Sequence, residues 1–296
     1  MPSGSLQTHM GFHSPLRYPG GKGALSAFMR DLVARNGLLD GHYAEVYAGG
    51  AAVAWSLLFS DHVQHVHIND VDPAIYAFWR SVLADTDALC SRISGIRVSM
   101  AAWRRQREVM ANPRSYSRLE RGFATFFLNR TNRSGIITGG VIGGEDQAGE
   151  WKLDARFNKR DLISRITRIA RYRERVTLTQ LDALEFMNTV LGRLPNGSLM
   201  YLDPPYYVRG RGLYEHHYNH DDHAAVAEAV RALKAPSWVV SYDAAPQVLK
   251  LYQGLPRRQY DLRYTAQERY EGSEVFFFSP RLIIPRTLHP SRKTAA

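Results

Sequence analysis

Cysteine is almost missing from this chain: Cys90 is the only one among 296 residues. A lone thiol closes no internal disulfide and supplies no cysteine-rich zinc site. It sits in Asp87-Ala88-Leu89-Cys90-Ser91, a helix-like stretch without a neighbouring base, and so reads as a packed thiol, not an activated nucleophile. Long apolar runs are missing too. None approaches the roughly 20 residues that a bilayer-spanning helix needs, and the start lacks a basic segment followed by an apolar one. A cytoplasmic location without membrane contact is the expectation. The phosphate-loop spacing G-x-x-x-x-G-K-[ST], the dinucleotide pattern G-x-G-x-x-G and the metal-ligand pattern H-E-x-x-H are all absent, which argues against an NTP, NAD and a histidine metal site. His216, His217, His220 and His223 therefore read as loop histidines, and no metal is expected. No internal repeat is visible.

Acidic residues are in deficit. Thirty-eight Lys and Arg face 28 Asp and Glu, a formal charge of +10. Such a balance favours a polyanionic partner, because neutralising phosphates releases counterions. The 45% hydrophobic content supports a large core, in one α/β domain or one domain with an insertion.

The chain is organised around Ser198 to Tyr207, with the run Leu199-Met200-Tyr201-Leu202 followed by Asp203-Pro204-Pro205-Tyr206. The apolar run reads as a buried parallel strand that stops where proline cannot donate to a ladder. Asp203 to Tyr206 then occupy the carboxyl end of a strand, where open α/β sheets bind ligands. Two prolines stiffen the corner, holding the Asp203 carboxylate and the Pro204 carbonyl as neighbouring acceptors beside the Tyr206 ring. That set suits a planar amine, such as the exocyclic NH2 of an extruded adenine stacked on Tyr206. Taken alone, a tight turn whose aspartate caps a helix explains the tetrapeptide equally well.

Upstream, Arg17-Tyr18-Pro19-Gly20-Gly21-Lys22 opens a helix that runs to about Asn36. Its glycines let backbone amides approach an anion, a phosphate or an amino-acid carboxylate, and Lys22 adds a charge. A strand from Tyr43 to Tyr47 leads into the tight turn Ala48-Gly49-Gly50-Ala51 and a helix; a second strand, Val63 to Ile68, ends at Asn69-Asp70. Asp70 stands about 20 residues after the glycines, the separation at which a carboxylate reaches a ribose diol. Asp72 reads as the N-cap of the next helix, Ala74 to Ala84.

The middle third is rich in arginine with interleaved aromatics from Met100 to Arg175, and glycine-rich from Ser134 to Gly149. It reads as a mostly helical insert that contacts nucleic acid, with Arg130 and Arg133 the leading candidates for groove or backbone contacts. The sheet resumes at Val176 to Gln180 and continues at Ser237 to Tyr242. Arg258 to Tyr264 and Glu274 to Ile284 form an expected antiparallel edge hairpin.

Taken in order, these marks resemble the Dam-like, D12 class of DNA adenine-N6 methyltransferases, over nearly the whole chain. They are Arg17 to Lys22, the turn from Glu45, Asn69-Asp70, Leu128-Asn129-Arg130 with Gly135, Asp182, and Asp203-Pro204-Pro205-Tyr206. Their order is similar to the alpha arrangement of amino-methyltransferases. The resemblance implies an α/β, Rossmann-like methyltransferase sheet with an antiparallel edge hairpin and an inserted helical DNA-recognition domain. The expected division is 1–95 with 172–296 as the catalytic domain and 96–171 as the insert.

It further implies S-adenosylmethionine as cofactor, with Tyr18, Gly21 and Lys22 at its methionine end. Glu45, Tyr47 and Gly49 would border the pocket, Asp70 would hold the ribose, and Asp182 would accept from the cofactor's adenine. Asp203, Pro204 and Tyr206 would handle the target base, Asp203 also lining the cofactor site, while Asn129, Arg130 and Arg133 would face DNA. Where the family often has glycine, this chain has Ala51. Double-stranded DNA is the implied partner, with room for a cognate restriction endonuclease in the same cell, and the enzyme is expected to be a monomer. Rival readings are an amino-methyltransferase on cytosine N4, RNA adenine or a protein amide, and a catalytically silent DNA-binding protein.

Overall fold

The computed structural model describes residues 13–17, 22–207, 218–263 and 271–286. Tyr18 and Gly21, the tip of the first loop, lie outside them. So do most of the loop after Tyr207 and the tip of the expected hairpin.

A seven-stranded sheet forms the frame: β1 (Gly41–Glu45), β2 (Val63–Asn69), β3 (Val176–Thr179), β4 (Leu199–Leu202), β5 (Ser237–Asp243), β6 (Arg257–Arg263) and β7 (Glu271–Phe278). Its order is β3-β2-β1-β4-β5-β7-β6. The first five strands are parallel, and β7 and β6 close the edge antiparallel. The strand order reverses between β1 and β4, the switch point at which such sheets open a crevice at their carboxyl ends. Strand β7, between β5 and the edge strand β6, stops at Phe278, short of the expected Ile284. Beyond it the chain leaves the ladder and buries Leu282 against the core.

Helices α1 (Ser26–Arg35), α2 (Ala52–Phe59), α3 (Pro73–Ala84), α4 (Thr86–Gly95), α5 (Met100–Ala111), α6 (Arg118–Thr131) and α7 (Lys159–Ala170) precede β3. Helices α8 (Ala183–Val190), α9 (His220–Ala232) and α10 (Pro246–Leu251) follow it. Strand alternation sorts the two cores. Tyr43, Val66, Ile68, Leu199, Tyr201 and Val239 face a core shared with α1 to α7. Ala44, Met200, Leu202, Trp238 and Val240 face one shared with α8 to α10. Period-2 alternation with both faces apolar is what a doubly covered parallel sheet requires.

Local chemistry sets the helix starts. Asp72 Oδ1 accepts from Ala74 N at 2.7 Å ahead of Pro73, fixing α3 as its sequence foretells. Ser117 and Glu120 close a capping box on α6, as Asn219 and Asp222 do on α9. The segment expected as an insert, 96–171, shares a core with the sheet. Helix α6 packs along α3, Phe126 stacks on Phe78 with centroids 5.8 Å apart, and α7 packs on α3 and α4. The contact depends on Gly122, since a Cβ there would come within 2.6 Å of the Ala77 carbonyl oxygen.

Candidate active site

Each of the five parallel strands has a carboxylate at or just beyond its carboxyl end: Glu45 at the end of β1, Asp70 directly after β2, Asp182 three residues past β3, Asp203 directly after β4 and Asp243 at the end of β5. All lie on the side of the sheet where the crevice opens. Glu45 is 5% exposed and Asp70 8%. Burial pushes the Glu45 carboxyl well above the ordinary range; the Ala54 amide opposes that rise, while Asp203 and Asp70 add to it. Burial and then Asp72 push Asp70 up to about 7, against hydrogen bonds from Gly49 and Asp72. Buried like charges of this kind attract a cation or donate a proton.

The turn after β1 is bound to this cluster. Gly49 N donates to Asp70 Oδ2 at 2.7 Å, Asp72 N to Asp70 Oδ1 at 3.0 Å, and Ala54 N to Glu45 Oε2 at 3.2 Å. Trp79 Nε1 on α3 donates to the Gly49 carbonyl at 2.8 Å. Asn69 ties three strand ends together, donating from Nδ2 to the carbonyls of Val46 and Leu181 and accepting from Thr179 Oγ1 and Leu181 N. Ala51, where the family often has glycine, adopts φ 49°. That left-handed backbone strains an alanine.

The Asp203–Tyr206 corner is pinned from the neighbouring strands. Ser241 Oγ on β5 donates to Asp203 Oδ1 at 2.5 Å. Tyr206 OH donates to Glu274 Oε1 on β7 at 2.9 Å, and Tyr207 N donates to Asp243 Oδ1 at 2.9 Å. Sequence reasoning missed Ser241, Asp243 and Glu274. The available signal was a polar side chain at an inward position of an otherwise apolar strand: Ser241 is fully buried between Val240 and Tyr242.

Other expected site residues are placed as follows. Tyr47 OH lies 3.0 Å from Tyr218 OH, beyond the loop after Tyr207. Asp182 Oδ1 accepts from Glu185 N at 2.9 Å and so caps α8. Lys22 opens a short 3-10 helix ahead of α1. Asn129 is buried and clamps the amino-terminal segment: Oδ1 accepts from Arg17 N at 2.7 Å, and Nδ2 donates to Arg17 O at 2.6 Å and Gly135 O at 2.8 Å. Gly135 permits this, because its φ is 78° and a Cβ would strike the Arg17 backbone. Arg130 Nε donates to Arg156 O at 2.7 Å. Burial, then Arg17 and Arg165, lower its pKa to about 10. Arg133 is exposed in the turn that follows α6.

Among the described residues no group of three His, Cys, Asp or Glu side chains is arranged to hold a metal ion, and no helix is long and apolar enough to cross a membrane. A surface cavity of about 430 Å³ is lined by Ser164, Thr167, Arg168, Arg171 and Tyr172. These residues lie on and just after α7, and none belongs to the carboxylate cluster.

Comparison with curated proteins gives no match. Among solved structures, an rRNA methyltransferase of Streptomyces viridochromogenes is 15% identical, with TM-score 0.40 over 88% of this chain and 86% of that one. An N-methyltransferase of Bradyrhizobium japonicum is 9% identical, with TM-score 0.37 over 85% and 94%. A SAM-dependent methyltransferase of Agrobacterium tumefaciens is 8% identical, with TM-score 0.42 over 87% and 62%. The model of one family matches residues 18–266, a span that includes all five strand-end carboxylates and the pinned proline corner. The chain belongs to that family, the D12 class N6 adenine-specific DNA methyltransferases.

Proposed function

We propose that the protein transfers a methyl group from S-adenosylmethionine to N6 of an adenine turned out of duplex DNA. The observation that carries this reading is the Asp203–Tyr206 corner, fixed by two prolines and hydrogen-bonded to two neighbouring strands beside the carboxylates at the carboxyl edge of the sheet. The donor set fits the cofactor. Burial disfavours the charged forms of Glu45 and Asp70, so a cationic molecule bound beside them would favour their ionisation, and Asp70 stands just past the carboxyl end of β2, the position for a ribose diol. Tyr18, Gly21 and Lys22 would hold the methionine end, Tyr47 and Gly49 the pocket wall, and Asp182 the adenine amine.

When bound, the cofactor supplies an electrophilic methyl on a sulfonium. The residues of the chain do the rest. Asp203 and the Pro204 carbonyl each accept one hydrogen of the target amine, drawing its lone pair out of the ring. Tyr206 stacks on the base, and the rigid corner aligns nitrogen for in-line attack. The surplus proton leaves to water. The helical segment 96–171 would read the duplex, with Arg130 and Arg133 toward DNA and Asn129 holding the amino-terminal loop in register with them. The 1–95 and 172–296 segments form the catalytic unit, acting as a monomer in the cytoplasm.

The test is methyl transfer from labelled cofactor to duplex DNA, RNA and protein by the wild type and by Asp203→Ala. The expected result is label on DNA adenine, a loss of at least 100-fold in the variant, on the scale of a lost electrostatic anchor, and cofactor binding still measurable. Turnover undiminished in Asp203→Ala, or label confined to another acceptor, overturns the reading.

A further inference from the structure

Behind the proline corner lies a buried hydroxyl chain that no part of the proposed reaction uses. Tyr201 OH lies 2.7 Å from Ser241 Oγ, which in turn lies 2.5 Å from Asp203 Oδ1. Neither Tyr201 nor Ser241 has measurable exposure. The direction of the chain follows from hydrogen counting. An ionised carboxylate only accepts, so the single Ser241 proton goes to Asp203. The Ser241 lone pair must then take the Tyr201 proton. Two buried hydroxyls aligned this way polarise each other, and each strengthens the next bond.

The placement is built into the sheet. Tyr201 pairs with Val239 across the β4–β5 ladder, and Asp203 and Ser241 each stand two residues further along. A strand side chain repeats its face every second residue, so Tyr201, Asp203 and Ser241 come together on one face of two adjoining strands. Serine is the natural fit. It is short enough to stay beneath the carboxylate and carries both the donor and the acceptor that the chain needs.

We propose that Ser241 is a positioning residue for the methyl transfer, with Tyr201 as its support: together they hold the Asp203 carboxylate ionised and in one orientation toward the target amine. The inference rests on the reading of Asp203 as the amine acceptor. A hydrogen bond donated to the charged form of an acid favours that form. Glu45 and Tyr43 on β1 and Tyr201 on β4 face the same carboxylate electrostatically; against that background, losing the Ser241 hydroxyl makes Asp203 harder to ionise and less firmly oriented, and the acid limb of the rate profile moves to higher pH.

The experiment compares kcat against pH for wild type, Ser241→Ala, Ser241→Thr, Tyr201→Phe and Asp203→Ala, with the cofactor dissociation constant measured for each. Ser241→Ala should lose about tenfold or more in kcat, the value of one charge-assisted hydrogen bond. Its acid limb should rise by roughly one pH unit, with cofactor affinity within about twofold. Tyr201→Phe should shift the limb the same way by less, and Ser241→Thr, which keeps the donor, should restore both readouts. A role in packing alone would change stability without moving the acid limb.

If Asp203→Ala is inactive while Ser241→Ala keeps kcat and limb unchanged, the positioning role is overturned and the reading of Asp203 stands. If Asp203→Ala turns over normally, that reading falls first. Should Ser241→Thr fail to fold, the limb shift in Tyr201→Phe decides the question.

Discussion

Asp70 accepts two backbone N–H groups and still titrates at about 7, because burial and the neighbouring Asp72 outweigh both. In the proposed role at the ribose, Asp70 would ionise to accept the hydroxyls and so release its proton as the ligand binds. The sign follows directly: affinity rises as pH climbs toward 7 and levels off above it. Calorimetric titration with S-adenosylmethionine should show about tenfold tighter binding at pH 8 than at pH 6, the ratio expected for one ionisation at that pKa. Asp70→Asn should bind weakly and with a flat profile. At this scale the placement of Asp70 and Asp203 just past strand ends was legible, because the glycine turn and the prolines mark those ends in the sequence. It was silent on Ser241 and Glu274, whose hydrogen bonds join strands that lie far apart along the chain. Asn129 was recognised as a mark of the family but given to DNA. Its amide makes three backbone contacts, two of them to a residue 112 positions away.

Helix α6 owes its place to Gly122 and to the aromatic stack beneath it. A methyl group at Gly122 would press on the Ala77 carbonyl oxygen of α3, and neither helix backbone can yield cheaply inside a packed core. Gly122→Ala should therefore cost about 1–3 kcal/mol, as overpacking does, and lower the melting temperature by several degrees. Cofactor affinity should be largely retained, since the strand-end carboxylates lie on other elements. A thermal melt with a binding titration checks both, and an unchanged melting temperature would show that the two helices part without strain. Element identity was readable because apolar runs, caps and prolines act locally: Asp72-Pro73 starts α3, and the apolar run before Asp203 is β4. The end of β7 was not readable. After Phe278, Leu282 and Ile284 pack on the core from irregular backbone while Ile283 is exposed, and burial alone does not require a ladder.

Across the whole molecule, charge is divided. The parallel strands end in acids at the carboxyl edge of the sheet, yet the chain carries a formal +10. The excess is concentrated in arginines of the helical segment before β3. Around Arg130 the charges that lower its pKa are Arg17, Arg165 and Arg156, with Asp161 the one that opposes them. The Asp161–Arg165 ion pair relieves that repulsion only in part, and a phosphate would relieve more, whereas the strand-end acids would repel the backbone and favour a cationic ligand. Binding to duplex DNA should accordingly fall steeply with salt. Each phosphate contact removed should lower the slope of log affinity against log salt by about 0.9. Arg133→Ala removes an exposed cation and Arg130→Ala a crowded one. Each should weaken binding across unrelated duplexes and reduce the slope by about one unit, without changing cofactor affinity. Anisotropy titrations between about 50 and 200 mM salt measure it. A slope unchanged in both variants would move the duplex to another face of the molecule and leave the crevice chemistry untouched.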